Sequence, residues 1–283
     1  MKALVIYKKS TNEIYSASPD EAVQKFIQDE NNKYLTSQKR SRDEQKRTLD
    51  AVVSELNRRK INHEVLWRGD VKSVEGSDLV ISVGGDGTFL DVSHHINNDI
   101  PVMGINSDCN SSVGFYCCFN RQNFGDAIAN LEKLPRTKVL RIEGTLNGIK
   151  IPQYVLNDLL VADENPAATT DIEVNGKRGK RSSGLIVSTP MGSTAWVYEE
   201  GGIIAPLEST EMQYIYRSRR KKESFFAKEI EIYSLTRKGK IYFDGQHLVY
   251  DFTIGDKIHL ELGAPLTIIG DFSEKRKKYE SMG

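Results

Sequence analysis

The stretch Asp78-Leu79-Val80-Ile81-Ser82-Val83-Gly84-Gly85-Asp86-Gly87-Thr88-Phe89 decides how the first half of the chain folds. Its opening residues form an apolar run of strand length, the glycines punctuate it, and Phe89, Val92 and Ile96 then recur at helical spacing. Pro101-Val102-Met103-Gly104-Ile105 reads as the next strand, so strand, glycine turn, helix and strand make one parallel crossover unit. The same alternation extends upstream. Ala3 to Tyr7 reads as a buried strand, and Leu49, Val52, Val53 and Leu56 put one apolar stripe on a helix spanning roughly residues 38–60. His63 to Leu66 returns as a strand. Beyond Pro135 the pattern changes: Asn147-Gly148, Asn175-Gly176 and Asp244-Gly245 each separate extended runs such as Glu229 to Tyr233, the strongest short-range hairpin signal. The expected organisation is an α/β domain over residues 1–135, an antiparallel β-rich domain over 136–270, and a basic tail over 271–283.

Composition narrows the class. The 283 residues carry 39 basic and 39 acidic side chains, so no bulk charge points to nucleic acid or to an acidic membrane. With 39% hydrophobic and 28% charged residues the chain has the makings of a buried core. No apolar run reaches membrane-spanning length and MKALVIYKKS lacks the features of a secretory signal, which reads as a cytoplasmic protein. Cys109, Cys117 and Cys118 have no metal or disulfide spacing and are expected as buried thiols.

The chemistry is expected at Gly84-Gly85-Asp86-Gly87-Thr88. Glycine permits positive φ and close backbone approach to a bulky anion, and the free amides of a helix start favour phosphate. The spacing fits neither the GxxxxGK[ST] phosphate loop nor the GxGxxG dinucleotide turn. Asp86 would repel a phosphate unless a metal intervenes or it accepts a proton from an attacking hydroxyl. Asn157-Asp158 offers an amide and a carboxyl able to hold a vicinal diol, and reads equally as a plain turn. Ser188, Thr189, Ser193 and Thr194 place hydroxyls around Gly192, in keeping with nucleotide contact or with a simple Ser/Thr-rich loop. His94-His95 reads as an ordinary helical pair. The run Arg217 to Lys222 reads as a solvated face that could reach a triphosphate, and Asp244-Gly245 as a hairpin turn.

Taken together these motifs resemble the NAD kinases. GGDGT at residues 84–88 is similar to the glycine loop that NAD kinases share with diacylglycerol-type lipid kinases and 6-phosphofructokinases. Leu156-Asn157-Asp158 resembles the family's Asn-Glu/Asp pair. Ser188-Thr189-Pro190-Met191-Gly192-Ser193-Thr194-Ala195, followed by Gly201-Gly202, resembles its TPxGSTA segment, and Gly114-Phe115-Tyr116 its GF[LY] turn. Arg181-Ser182-Ser183-Gly184 departs from the family's Arg-x-Asp-Gly, and Glu199 replaces a small hydroxyl. Ser182 to Leu185 with Asn165-Pro166-Ala167-Ala168 looks closer to the mitochondrial and plant NADH-kinase branch.

The resemblance implies a Rossmann-like α/β domain followed by an antiparallel β-sandwich domain, of NAD kinase/diacylglycerol kinase-like fold. It implies transfer of the ATP γ-phosphate to the 2′-hydroxyl of the adenosine ribose of NAD or NADH, with Mg²⁺ offsetting charge and Asp86 deprotonating the hydroxyl. Gly84, Gly85, Gly87 and Thr88 would cradle phosphate, and Asn157 and Asp158 would fix the ribose. Phe115, Arg181, Ser193, Thr194, Ala195 and Trp196 would shape the nucleotide pocket. Nucleotides are then the small-molecule partners, and a homo-oligomer, dimer or tetramer, is expected. A lipid kinase of the same superfamily and a non-catalytic nucleotide-sensing module are the rival readings.

Overall fold

A computed structural model of the chain describes residues 1–16, 18–29, 32–245 and 248–280. The chain divides into two compact units: residues 1–96, 100–137 and 267–272 form the first, and residues 97–99, 138–266 and 273–283 the second. The end of the expected tail, residues 281–283, lies outside the described residues.

The first unit is built on parallel strands. β1 (Lys2–Tyr7) lies between β2 (Asn62–Trp67) and β3 (Leu79–Gly84), β4 (Val102–Asn106) follows β3, and Ile268 and Ile269 pair beside β4. β3 is buried along its whole length, as its unbroken apolar run requires of a strand covered on both faces. Val5, Ile81, Val83, Met103 and Ile105 share one core with Val52 and Leu56 of the helix Lys33–Arg58 and with Phe124 and Ile128 of a shorter helix. The order β2-β1-β3-β4 has a consequence for function. The chain leaves β1 towards one edge of the sheet and β3 towards the other, so the carboxyl ends of β1 and β3 flank a topological switch point, where such sheets open a crevice for ligands.

The helix Lys33–Arg58 begins before the expected residue 38 because Asn32 caps it, its side chain accepting from the Tyr34 amide at 3.0 Å. Its buried face also differs from the apolar stripe, since Leu35, Gln45, Thr48, Val52 and Leu56 are buried while Val53 is only half-buried. The two polar members have work there. Gln45 donates to the Val83 carbonyl at 3.0 Å and Thr48 to the Ser107 carbonyl at 3.2 Å, satisfying backbone groups near the end of β3 and just after β4.

The second unit is antiparallel, as the hairpin signals require. One sheet runs Ser224–Ala227, Met212–Tyr216, Leu185–Ser188, Asp158–Asp163, Gly239–Phe243 and Leu248–Asp251, every neighbouring pair antiparallel. A second set pairs Ile172–Val174 with Glu229–Ser234, and that strand with residues 257–261. Strand alternation sorts the side chains of the first sheet. Leu159, Val161, Leu185 and Val187 face a shared core with Ile230, Ile232, Ile258 and Leu260 of the second set, which makes the sandwich. Leu160, Ala162 and Ile186 face the opposite way, onto Val197, Ile215, Trp196 and Tyr242. The Asn175-Gly176 turn has φ of 50° and 71°, the left-handed pair that a two-residue hairpin demands.

Gln45→Leu keeps the volume of the buried face but leaves the Val83 carbonyl without its donor. The expected loss is about 1 kcal/mol, read as a lower urea midpoint for the transition that includes the first unit. An unchanged midpoint would show that this bond contributes nothing to stability.

Candidate functional site

β3 delivers the glycine loop to the switch point, and the helix Asp86–Ser93 starts immediately after it with Gly85 as its cap residue. The glycines are needed for space, and the expected positive φ does not occur: Gly85 has φ −114° and ψ −165°, and neither Gly84 nor Gly87 lies in the left-handed region. A Cβ on Gly84 would overlap the Thr88 hydroxyl, and one on Gly85 would lie 2.6 Å from the Ser112 hydroxyl. A Cβ on Gly87 would meet nothing within 4 Å, so its missing side chain keeps the space above the loop open. The Thr88 and Phe89 amides donate to the Gly85 carbonyl at 3.0 and 3.1 Å, while Thr88 itself lines the pocket over the loop. The amides of Asp86 and Gly87 sit in the first turn, where helical geometry supplies no acceptor.

Asp86 is fixed by a second segment. Its Oδ1 accepts the Tyr116 amide at 2.8 Å, and the residue lines the pocket over the loop. Phe115, expected as a pocket wall, lies packed in the scaffold behind that amide. It is 9% exposed and packs edge-on against Tyr116 at 5.4 Å and against Phe272 at 5.8 Å, while Tyr116 stacks on Phe89 at 5.0 Å.

The pocket over the loop has a volume of ≈ 490 Å³ and gathers Asp86 and Gly87 with Lys8, Arg68, Ser41 and Asp108. Lys8 follows β1 directly, and Arg68 follows β2 and reaches Asp91 at 3.4 Å. Burial pulls the Lys8 ammonium below its ordinary pKa and Arg68 adds to this, whereas Asp108 pushes it back up. The Asp108 carboxyl sits below its usual range; burial opposes this, and the Ser111 and Ser41 hydroxyls with the Asn110 and Ser111 amides outweigh it. The motif search missed Lys8 and Arg68 because neither lies in a motif. The signal that finds them is topological, since loops at the carboxyl ends of strands flanking a switch point line its crevice.

In the second unit, strand Asp158–Asp163 begins with the second residue of the expected pair, Asn157 preceding it. Asp158 shares its face with Leu160, two residues on, and Tyr242 is the register partner of Leu160. With Trp196 and Gly245 they line a mainly apolar pocket of ≈ 230 Å³, sized for a flat ring beside a single carboxyl. Burial, then the neighbouring Asp244, pushes the Asp158 carboxyl up to about 8. A protonated carboxyl both donates and accepts, which suits a ribose diol.

Asp244, expected only as a hairpin residue, organises this corner. Its carboxylate accepts the Leu156 amide at 2.8 Å, the Asn157 amide at 2.7 Å and the Asp158 amide at 3.2 Å. The TPxGSTA segment is fastened to the same turn. The Thr189 amide donates to the Asn157 carbonyl at 2.9 Å, the Thr189 hydroxyl to the Leu156 carbonyl at 2.6 Å, and a Cβ on Gly192 would overlap the Asn157 carbonyl. Ser193, expected to touch nucleotide, is fully buried. Its hydroxyl donates to the Pro190 carbonyl at 2.7 Å and accepts the Ala205 amide at 3.0 Å, so it closes the turn. Thr194 is buried and Ala195 half-buried, between this turn and Trp196. Arg181 lies exposed and away from the pocket, its carbonyl accepting from Arg219 at 3.1 Å. The basic run is largely engaged: Arg217 and Lys222 pair with Glu200 at 3.9 and 2.7 Å, and Lys221 with Glu223 at 3.4 Å. Arg217 also lies 5.0 Å from the Trp196 ring centre. Glu199 is exposed. Of the expected buried thiols only Cys117 is buried; Cys118 is half-buried and Cys109 exposed.

A carboxylate anchored among free helix-start amides, with two cations in the same pocket, is the equipment of a phosphoryl-transfer enzyme. The family model for the ATP-NAD kinase N-terminal domain matches residues 5–136. A protein of Oryza sativa subsp. japonica named "Probable NADH kinase" is 33% identical over 259 residues, covering 78% of this chain and 79% of that one. The solved NAD kinase from Archaeoglobus fulgidus in complex with ATP shares the fold over 100% of both chains, with a TM-score of 0.69 and 22% identity. Yeast NADH kinase complexed with NADH covers 99% of this chain and 86% of that one, with a TM-score of 0.67 and 18% identity. The chain belongs to the NAD kinase family, and the expected likeness to the plant NADH kinases holds. Among the described residues no helix is long and apolar enough to cross a membrane.

Asp158 also sets a pH dependence. Unfolded, it ionises at its ordinary value of 3.8; folded, it keeps its proton to about 8. The unfolded state therefore sheds a proton first, and stability falls as pH rises across that window. Asp158→Asn should melt above the wild type by a margin that is small near pH 4 and grows by at least 2–4 °C, about 1 kcal/mol, by pH 8. A margin independent of pH would place the Asp158 proton elsewhere.

Proposed function

We propose that the chain transfers the γ-phosphoryl group of ATP to the 2′-hydroxyl of the adenosine ribose of NAD or NADH, giving NADP or NADPH. The observation that carries this is the Asp86 carboxylate, held by the Tyr116 amide and lining a pocket that also contains Lys8 and Arg68. A phosphoryl donor places its negative charge against Lys8, Arg68 and the Asp86 and Gly87 amides. Asp86 orients the acceptor hydroxyl and takes its proton as the new O–P bond forms and the bond from the γ-phosphorus to the departing ADP breaks. Phosphoryl transfer of this kind runs mainly on positioning and charge stabilisation. Asn157 and Asp158 take the ribose, and Trp196, Tyr242 and Leu160 receive the flat ring, the Trp196 face being the natural stacking surface.

The donor set fits Mg²⁺. Among the described residues no group of three His, Cys, Asp or Glu forms a cation cage. Asp86 and Asp108 provide one or two carboxylates in the pocket, which with substrate phosphates is the coordination Mg²⁺ takes. When bound, it supplies charge neutralisation between Asp86 and the phosphates.

The named relatives support both halves of this reading: the Archaeoglobus fulgidus NAD kinase structure contains ATP, and the yeast NADH kinase structure contains NADH. Acceptance of NADH follows the branch of the rice relative. A cytoplasmic homo-oligomer accompanies the reading, to be checked by fractionation and by sedimentation.

Two outcomes test it. Purified protein given ATP and Mg²⁺ with NAD or NADH should make the 2′-phosphorylated product. Asp86→Asn should still bind NADH by fluorescence but turn over at least about 100-fold more slowly, and near-normal turnover would remove Asp86 from the chemistry. Gly87→Ala should fold and melt like the wild type, since nothing stands within 4 Å of the added methyl, yet raise KM for ATP about tenfold by occupying phosphate space. An unchanged KM would move the phosphates off the loop.

A further inference from the structure

The basic tail carries an arginine that the proposed reaction does not use. Residues Ser273–Glu280 form a helix in which Lys277 and Lys278 are exposed while Arg276 is only 6% exposed. The Arg276 guanidinium reaches into the TPxGSTA turn. Nη1 donates to the Pro190 carbonyl at 3.3 Å and the Met191 carbonyl at 3.4 Å, and Nη2 donates to the Ser193 hydroxyl at 3.3 Å and to the Ala205 carbonyl. Ser193 already links Pro190 to Ala205, so the guanidinium braces a closed knot of backbone. The helix has a second hold on the same segment: the Tyr198 hydroxyl donates to the Tyr279 carbonyl at 3.4 Å, and the two rings meet edge to face at 6.2 Å.

Two flanks of that knot lead to the pocket lined by Asp158 and Trp196. On one side Gly192 abuts the Asn157 carbonyl, next to Asp158. On the other, Thr194 and Ala195 lead into Trp196, which lines the pocket. A shift of the knot therefore moves the ribose-binding pair and the stacking face relative to each other.

We propose that Arg276 is a positioning residue for the acceptor nucleotide. It holds the Pro190–Ala195 turn so that Trp196 and the Asn157-Asp158 pair present one site. The role needs the planar fork of a guanidinium, whose donors reach several acceptors at fixed angles; a lysine ammonium is a single point on a flexible stem. This inference rests on the reading of the Asp158–Trp196 pocket as the acceptor site.

The experiment compares wild type, Arg276→Lys and Arg276→Ala by NADH fluorescence titration, by KM for NAD(H) and ATP, and by melting. Expected are a rise of about 10- to 100-fold in Kd and KM for the acceptor in Arg276→Ala, a smaller rise in Arg276→Lys, and KM for ATP within about twofold of wild type. Millimolar guanidinium, well below denaturing levels, should restore part of the acceptor affinity of Arg276→Ala and leave wild type unchanged. If Arg276→Ala does not fold, the Arg276→Lys pair of KM values decides. Wild type that binds neither NAD nor NADH overturns the acceptor-site reading, and the inference with it. Wild type that binds while a folded Arg276→Lys binds equally well overturns the inference alone, as does an equal loss of acceptor and ATP affinity.

Discussion

A carboxylate standing among the free amides of a helix start depends on one hydrogen bond, from the Tyr116 amide to Asp86 Oδ1. Without it the side chain would be free to fold onto the first-turn amides, the ordinary fate of an aspartate there, and would compete with any phosphate. Everything behind Tyr116 supports that bond. Tyr116 stacks on Phe89 of the helix that carries Asp86, while Phe115 and Phe272 complete the cluster. The loop glycines admit the close approaches this needs, so the loop is tightly packed beneath and open above.

The second unit uses the same device with the roles exchanged. There a carboxylate holds amides: Asp244 gathers three consecutive backbone N–H groups and so fixes the start of the strand that bears Asp158. The two carboxyls differ through their surroundings. Asp244 is satisfied by amides, whereas Asp158 faces an apolar pocket and holds its proton to about 8. A neutral carboxyl beside a stacking face is suited to a sugar, and an anchored carboxylate beside cations to proton transfer.

Local periodicity made the framework legible. The buried run before Gly84, the crossover to residues 101–105 and the Asn-Gly turns each announce their element within a few residues. The stripe at Leu49, Val52 and Leu56 located the long helix but understated its buried face, because Gln45 and Thr48 are buried to satisfy carbonyls of β3 and of the segment after β4, not to hide apolar surface. The site was legible only where a motif names it. Asp86 and Thr88 line the pocket over the glycine loop and Asp158 and Trp196 the apolar one, whereas Ser193 and Phe115 are packed into the scaffold of their motifs. Lys8, Asp244 and Arg276 act over sequence distances that no local pattern spans, and each was masked: a lysine pair after a strand, a hairpin dipeptide and a basic tail.

The hairpin at Asp244-Gly245 shows what such masking means for redesign. With φ of 48° and 104° the pair invites Asn-Gly, the residues that most readily take left-handed turn conformations, and a stability-minded consensus would write it in. An asparagine has one carbonyl oxygen where aspartate has two, so it could not serve the three amides in the same way. The hairpin would survive the exchange while the turn it clamps, residues 156–158, came loose. Conformational economy at one end of a sheet is thus tied to ligand geometry in the neighbouring strand, and the two cannot be optimised separately.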